Sequence, residues 1–533
     1  MDNHQEGDRL SWGDTVFLNL EREGMPLNVA SVCVFEGKVP LKDCVRFVES
    51  KLPLIPRYLK RVVPEPFGLG LPNWNYDTEF DIRRHVGELA LHYGTETELK
   101  AVAAKKFSEV MDRKHPLWDM TLVHGLKGNR TGLIIRMHHC LADGIAGVGL
   151  MNVLLDAHPN APRLPRKKLR FRVPASSRDP LSSLASGFLD SYSEFLNRVL
   201  SACADLLSIA ERVALKDGPP VAEELSRLLP EITASTARLR FNVIYRGPQK
   251  FAWTEIPLQK VKAIRKACGT SVNDVLLALV TATIRRYSVL HGDRVKGRLL
   301  RVMVPVNLRG KGSPSELGNR ISIVPVTIPL DISDPRKLLA AAHRRTELIK
   351  HTHAAELVSL AGGLFGILPG TLQALAGPLL SRLPITPFNM VCTNVPGPPY
   401  PLYLLGHKML RWYPYVPVGG ELALNCAILS YNGTVYFGFS GDKHAAPDLR
   451  RLEKLLKASF VELRDAALPR RGRAPRRTIA RAKTQASLQP AQGAPAVPAP
   501  IPLEVAPDLL APEVAPEPDA EDARETALAE LMA

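Results

Sequence analysis

Apolar and polar positions alternate with two different periods between Leu10 and Asp156. Val29-Ala30-Ser31-Val32-Cys33-Val34-Phe35 is a short apolar run and predicts a strand, whereas Leu99 to Val110 has the spacing of an amphipathic helix. Leu133 to Met137 predicts a second strand, which delivers His138 and His139 to its C-terminal end. Ile145 to Leu155 follows as a helix packed into the core. Residues 159–180 are rich in Pro, Arg and Lys and mark a crossover, succeeded by helical material from Leu181 to about Leu215. A second α/β unit begins near Phe251. Its signals are a helix from Val272 to Tyr287 and strands at Leu299 to Val306, Ile321 to Ile328 and Asn389 to Thr393. A hairpin, Leu424 to Ser430 and Thr434 to Phe439, closes around Asn432-Gly433. The expected organisation is a first domain over residues 1–157, a basic and helical crossover over 158–250, a second domain over 251–467 and a tail over 468–533, with an α/β fold class.

Composition agrees with folded domains and narrows the partners. A chain of 533 residues is too long for one ordinary core. Its content of 45% hydrophobic and 23% charged residues excludes a fibre or a wholly disordered chain. The formal net charge of +16 favours anionic partners. No basic helix interleaved with aromatics and no zinc-finger spacing is found, so nucleic acid is not an expected partner. A phosphate-rich thioester carrier or a membrane surface fits better. The seven cysteines are scattered and never form a CxxC pair, which argues against a disulfide framework or a structural metal and for a reducing compartment. The N-terminus is polar, without the apolar core of a signal peptide, and the expected location is cytoplasmic.

Two segments bear on membranes. Leu357 to Leu380 carries no charge and is long enough to span a bilayer. Gly362, Gly363, Gly366, Pro369, Gly370 and Pro378 break it, which suits short helices or an interfacial element better than a spanning helix. After Leu468 a basic block from Arg470 to Lys483 gives way to Ala/Pro-rich and then acidic sequence. Such a segment buries too little apolar surface to order itself. Its basic part suits anionic lipid, and a solubilising tail is the other reading.

The candidate chemistry lies at His138-His139-Cys140-Leu141-Ala142-Asp143-Gly144, an HHxxxDG pattern. A chance match in a chain of this length is on the order of one in a thousand. Histidine is the side chain whose ordinary pKa lets it accept a proton near neutrality. In an extended strand successive side chains point to opposite faces, so His138 and His139 cannot both enter one cleft. One ring is then the base and the other structural, and the pattern alone does not choose. Asp143, followed by Gly144, suits a tight turn in which the carboxylate holds the loop, in preference to orienting a histidine directly. No Gly-x-Ser-x-Gly elbow exists and no cysteine sits in a nucleophile motif, so direct transfer is preferred to a covalent intermediate. Ser271 and Asp274 have capping-box spacing at the start of the second-half helix, which accounts for Asp274. Asn273 is less explained, and its amide could orient a substrate or brace the site. Asn394-Val395-Pro396-Gly397-Pro398-Pro399 reads as a stiff turn after a strand, and Trp118 as core filling.

Taken in order, these motifs resemble the bacterial wax ester synthase/diacylglycerol acyltransferase family, within the wider acyl-CoA-dependent acyltransferases that share HHxxxDG. The collinear match runs from Leu10-Ser11-Trp12-Gly13-Asp14 through Phe80-Asp81, Pro116-Leu117-Trp118 and His138 to Gly144. It continues through Asn273-Asp274, Pro305-Val306-Asn307-Leu308-Arg309, Leu317-Gly318-Asn319-Arg320 and Thr393 to Pro398, and ends at Tyr431-Asn432-Gly433 and Phe437-Gly438-Phe439. Asn307 and Thr393 stand where the family commonly has Ser. The resemblance implies two chloramphenicol-acetyltransferase-like domains joined by a crossover, with an active-site tunnel between them. It implies His139 as general base, His138 supporting it, Asp143 and Gly144 shaping the loop, and Asn273 with Asp274 supporting the substrate site. It also implies acyl-CoA as co-substrate with no bound cofactor. The acceptor is diacylglycerol or a fatty alcohol, and the location peripheral to the inner membrane or lipid inclusions. Two alternatives stay open from the residues: a condensation-type enzyme with another hydroxyl or an amine acceptor, and a lipid-surface protein with a relict site.

Overall fold

The strand and helix periods of the sequence resolve into two six-stranded sheets, each with its own apolar core. A computed structural model describes residues 9–64, 71–142, 144–165, 238–307, 321–350 and 388–468. The charge-free segment from Leu357 to Leu380, the tail after residue 468 and most of the crossover lie outside the described residues.

The first half supplies helix α1 (Trp12–Leu20), strand β1 (Asn28–Glu36), helix α2 (Leu41–Lys51), the short pair β2 (Lys60–Val63) and β3 (Asn73–Tyr76), and helix α3 (Ile82–His85). Strand β4 (Val86–Ala90), helix α4 (Glu96–Phe107), strands β5 (Trp118–Leu126) and β6 (Arg130–His138), and helix α5 (Gly144–Leu154) complete it. Helix α4 starts three residues before the apolar pattern does. The Thr95 side chain accepts the Glu98 N–H at 3.2 Å and satisfies one of the free donors of the first turn.

The second half contributes β7 (Gln249–Pro257), α6 (Leu258–Cys268), α7 (Val272–Leu290), β8 (Leu299–Asn307), β9 (Ile321–Pro329) and α8 (Pro335–Lys350). It continues with β10 (Met390–Pro396), β11 (Tyr403–Leu404), β12 (His407–Tyr415), β13 (Leu424–Tyr431), β14 (Thr434–Asp442) and α9 (Arg451–Ala467). The β13–β14 hairpin turns at Asn432-Gly433 with φ of 43° and 78°, the positive values that a two-residue turn between twisted strands demands.

Sheet order ties the halves together. The second sheet runs β7-β14-β13-β10-β8-β9, but the first runs β11-β12-β1-β6-β5-β4. The second half thus lends two strands to the first sheet, with β12 antiparallel to β1 from Ala30 opposite Tyr415 to Phe35 opposite Met409. Strand β12 also packs on β14. A Cβ at Gly438 would lie 1.8 Å from the Pro414 carbonyl oxygen, so only glycine admits this approach. Trp253 stacks on Tyr413 beside it, ring centres 4.7 Å apart. The sheets are therefore held in a fixed relation by aromatic packing.

Residues expected to form a turn after a strand are partly strand. Strand β10 continues to Pro396, paired in parallel with β13 from Cys392 opposite Cys426 to Pro396 opposite Ser430. On its other side β8 pairs only with Met390 and Val391, so Pro396 meets no ladder that needs its missing N–H. Trp118 fills core as expected, stacked between Tyr58 and His85 with its indole N–H donating to the Tyr58 carbonyl at 2.8 Å. Among the described residues no single helix is long and apolar enough to cross a membrane.

Candidate active site

Strand β6 lies between β1 and β5 and carries the double histidine to its C-terminal edge. The two backbones are stitched to opposite neighbours. His138 N–H donates to the Leu117 carbonyl at 2.9 Å, and His139 N–H donates to the Leu27 carbonyl at 3.0 Å. Strand β6 ends at His138, and His139 opens the turn that follows. His138 turns inward and is completely buried. Its Nδ1 accepts the Cys140 N–H at 3.1 Å, which leaves the ring proton on Nε2, 3.4 Å from Glu21 Oε1. The His139 ring lies flat on Phe17 with centres 3.8 Å apart and planes 8° from parallel.

The two rings have different electrostatics. Burial pushes the His139 pKa down to about 4, with the neighbouring His138 adding to the effect and a hydrogen bond to its own backbone opposing it. His139 is therefore neutral, and a proton acceptor, throughout the physiological range. Burial would raise Glu21, but the His138 ring, the Leu27 N–H and the Arg113 guanidinium together hold it below the usual carboxylate range. Burial also pushes the Cys140 thiol far up, which removes it as a nucleophile.

Helix α1 supplies two of these contacts. Ser11 caps it, its hydroxyl accepting the Asp14 N–H at 3.1 Å, which gives the Leu-Ser-x-x-Asp motif a physical role. One face of α1 then carries Phe17 to the His139 ring, and Glu21 stands at its end. Neither residue was singled out in the sequence. The signal available was the strong cap at Ser11, which places Phe17 and Glu21 four residues apart on one helical face.

Asp143 lies outside the described residues. Gly144 opens α5, and a Cβ there would meet Val395 Cγ2 at 3.1 Å. The final glycine of HHxxxDG thus lets α5 sit against β10 of the second half. One residue earlier on β10, the Asn394 side chain donates to Asn273 Oδ1 at 3.4 Å. Asn273 belongs to the first turn of α7, where the expected capping box is present. Ser271 Oγ accepts the Asp274 N–H at 3.1 Å and Asp274 Oδ2 accepts the Ser271 N–H at 2.8 Å. Asp274 also accepts His343 Nδ1 at 2.8 Å and the Thr346 hydroxyl. Burial would raise its pKa, but Thr346, Ser271 and His343 outweigh that and lower it. A carboxylate so saturated by donors is a brace, not a base. Gly144, Val395, Asn394 and Asn273 therefore form one chain of contacts from the histidine loop to the second domain. Among the described residues no group of three His, Cys, Asp or Glu side chains is placed to hold a metal ion.

A histidine at a strand end, on a loop that continues into a helix packed on the second domain, makes a candidate base for group transfer. The comparisons with known proteins give the family. The wax ester synthase/diacylglycerol acyltransferase catalytic domain matches residues 10–276, and the WS/DGAT C-terminal domain matches residues 317–464. The chain belongs to this family and is an acyltransferase. Two proteins of Mycobacterium tuberculosis, each named a probable diacylglycerol O-acyltransferase, are 28% and 27% identical to it. Both alignments cover 85% of this chain, and 94% and 98% of those proteins. The fold is shared with the wax ester synthase/diacylglycerol acyltransferase from Marinobacter aquaeolei VT8, at a TM-score of 0.60, 24% identity and coverage of 86% of this chain and 99% of that one. It is also shared with the first condensation domain of the calcium-dependent antibiotic synthetase, at a TM-score of 0.54, 14% identity and coverage of 87% and 97%.

Proposed function

We propose that this acyltransferase moves a long-chain acyl group from acyl-CoA to a lipid hydroxyl, diacylglycerol or a fatty alcohol, by direct transfer with His139 as general base. The observation that carries the reading is the His139 ring: half-buried, neutral, stacked on Phe17 and fixed through its backbone to Leu27. His139 takes the proton of the acceptor hydroxyl as the oxygen attacks the thioester carbonyl. The tetrahedral intermediate collapses, the carbon–sulfur bond breaks, and the imidazolium returns the proton to the leaving thiolate. A base whose conjugate acid has a pKa near 4 gives that proton up readily, since thiols hold theirs several units more tightly. His138 supports the ring next to it, Asp143 and Gly144 shape the loop, and Asn273 with Asp274 braces the substrate wall. No bound cofactor takes part in this reaction.

The excess of basic residues suits the phosphates of CoA and an anionic lipid surface. We place the protein in the cytoplasm, held at the inner membrane or at lipid inclusions, where long apolar acceptors are concentrated. The test is thiol release from palmitoyl-CoA with a panel of acceptors. Hexadecanol and dioleoylglycerol are expected to support turnover and long-chain amines are not. Turnover with amines alone would overturn the reading.

A further inference from the structure

The geometry points to Glu21 as a positioning residue for the acyl transfer, acting through His138 and Leu27 on the base His139. This rests on the assignment of His139 above. Glu21 is an acid whose side chain is 1% exposed, set against a histidine ring that is 0% exposed. Each of its oxygens has a defined partner. Oε1 accepts the Leu27 N–H at 3.1 Å and lies 3.4 Å from His138 Nε2. Oε2 accepts Arg113 Nη2 at 3.1 Å, and the same guanidinium nitrogen donates to the Leu18 carbonyl at 2.7 Å near the end of α1.

These contacts converge on His139 along three routes. Leu27, held at its N–H by Glu21, holds the His139 N–H with its own carbonyl. His138, facing Glu21 through Nε2, keeps Nδ1 free to accept the Cys140 N–H, which fixes the backbone on the other side of His139. The Glu21 N–H closes α1 on the Phe17 carbonyl at 3.1 Å, and Phe17 is the residue on which the His139 ring rests. The buried carboxylate of Glu21 therefore bears on the residue before His139 and, through His138, on the residue after it, while the Glu21 backbone N–H bears on the helix turn that carries Phe17. Glu21 touches no reacting atom, and its effect reaches the chemistry only as placement.

Glu21→Gln keeps the shape and the acceptor oxygen and loses the charge, and Glu21→Ala removes the two carboxylate routes while the backbone N–H to Phe17 remains. Full-length wild type and both variants are compared by thiol release from palmitoyl-CoA with hexadecanol. Histidine side-chain 15N spectra are recorded alongside, with the His138 signal assigned through His138→Ala. Since small misplacement of a catalytic group costs up to about 100-fold, Glu21→Ala is expected to lose about that much kcat and Glu21→Gln about tenfold. The KM for palmitoyl-CoA is expected to stay within about threefold of wild type in both, as the donor contacts are untouched. In the spectra His138 is expected as the Nε2–H tautomer in wild type and as a mixture in Glu21→Gln. Should Glu21→Ala fail to fold, the isosteric Glu21→Gln decides alone. Wild-type kcat with an unchanged His138 signal in Glu21→Gln overturns the proposal, as does full activity of folded Glu21→Ala. His139→Ala in the same assay separates the two readings. If it is inactive while the Glu21 variants are not, only the positioning role fails. If it is active, the assignment of the base fails.

Discussion

Among the histidine–carboxylate pairs of the described residues, one in each domain has a sealed carboxylate with several donors, and these two are built differently. In the first domain His138 and Glu21 are both sealed from solvent, 0% and 1% exposed. In the second, Asp274 is sealed but the ring of His343 is 33% exposed. Both carboxylates are surrounded by donors and kept ionised. The first pair has a further histidine beside it, His139, whose pKa is pushed down to about 4 by desolvation. The second caps helix α7 and ties it to α8 through Thr346. A buried acid–histidine contact therefore does not mark a catalytic centre by itself. The neighbouring unprotonated ring at the edge of a sheet makes the difference.

Substitutions in the second domain sharpen that contrast. Asp274→Ala leaves His343, Thr346 and Ser271 without their shared acceptor, and a loss of about 1–3 kcal/mol is expected for the donors left unpaired. Urea unfolding measures it, and turnover per folded molecule is expected to fall far less than stability. The sign with pH follows from the lowered pKa of Asp274. Its contribution is present above the ordinary carboxylate range and fades as pH falls through the folded value.

Gly144→Val tests the contact between the domains. With Val395 Cγ2 already 3.1 Å from a Cβ at this position, overpacking is expected to cost about 1–3 kcal/mol. Turnover is expected to drop along with it, because α5 carries the end of the histidine loop. His343→Ala removes one bond to Asp274 from a partly exposed ring, and a loss of about 1 kcal/mol in the same unfolding measurement is expected. The smallest effect is on pH. Because the His139 pKa is pushed down to about 4, kcat/KM is expected to be flat from about pH 6 to pH 8, with its acid limb centred near pH 4. A limb near the ordinary histidine value, measured over the same range with thiol release, would detach the base from the buried ring.

Much of this was legible along the chain, and the rest was not for a physical reason. The β6 strand, the Asn432-Gly433 hairpin and the Ser271–Asp274 cap depend on neighbours within a few residues, so local pattern reaches them. Strand β12 joins the first sheet through contacts with Ala30 to Phe35, some 380 residues away, and no local period specifies a partner at that distance. Glu21 and Phe17 were missed likewise. Their helix is local, but their meeting with the histidines is set by the tertiary packing of α1 on the end of β6. Pro396 misled in the opposite sense, since proline signals a turn unless one side of the strand is unpaired, which is its situation in β10. Strand geometry gave His138 and His139 different expected roles without assigning them. Which of them faces a carboxylate required the fold.

The central claim is that one histidine of the pair is the base and the other its support. Initial rates of thiol release from palmitoyl-CoA with hexadecanol, for wild type, His138→Ala and His139→Ala side by side, test it most directly. The account predicts that His139→Ala loses about 10²- to 10⁴-fold in kcat, the span of general-base catalysis, and that His138→Ala retains more activity than His139→Ala. Full activity in His139→Ala, or a greater loss in a folded His138→Ala, would contradict it.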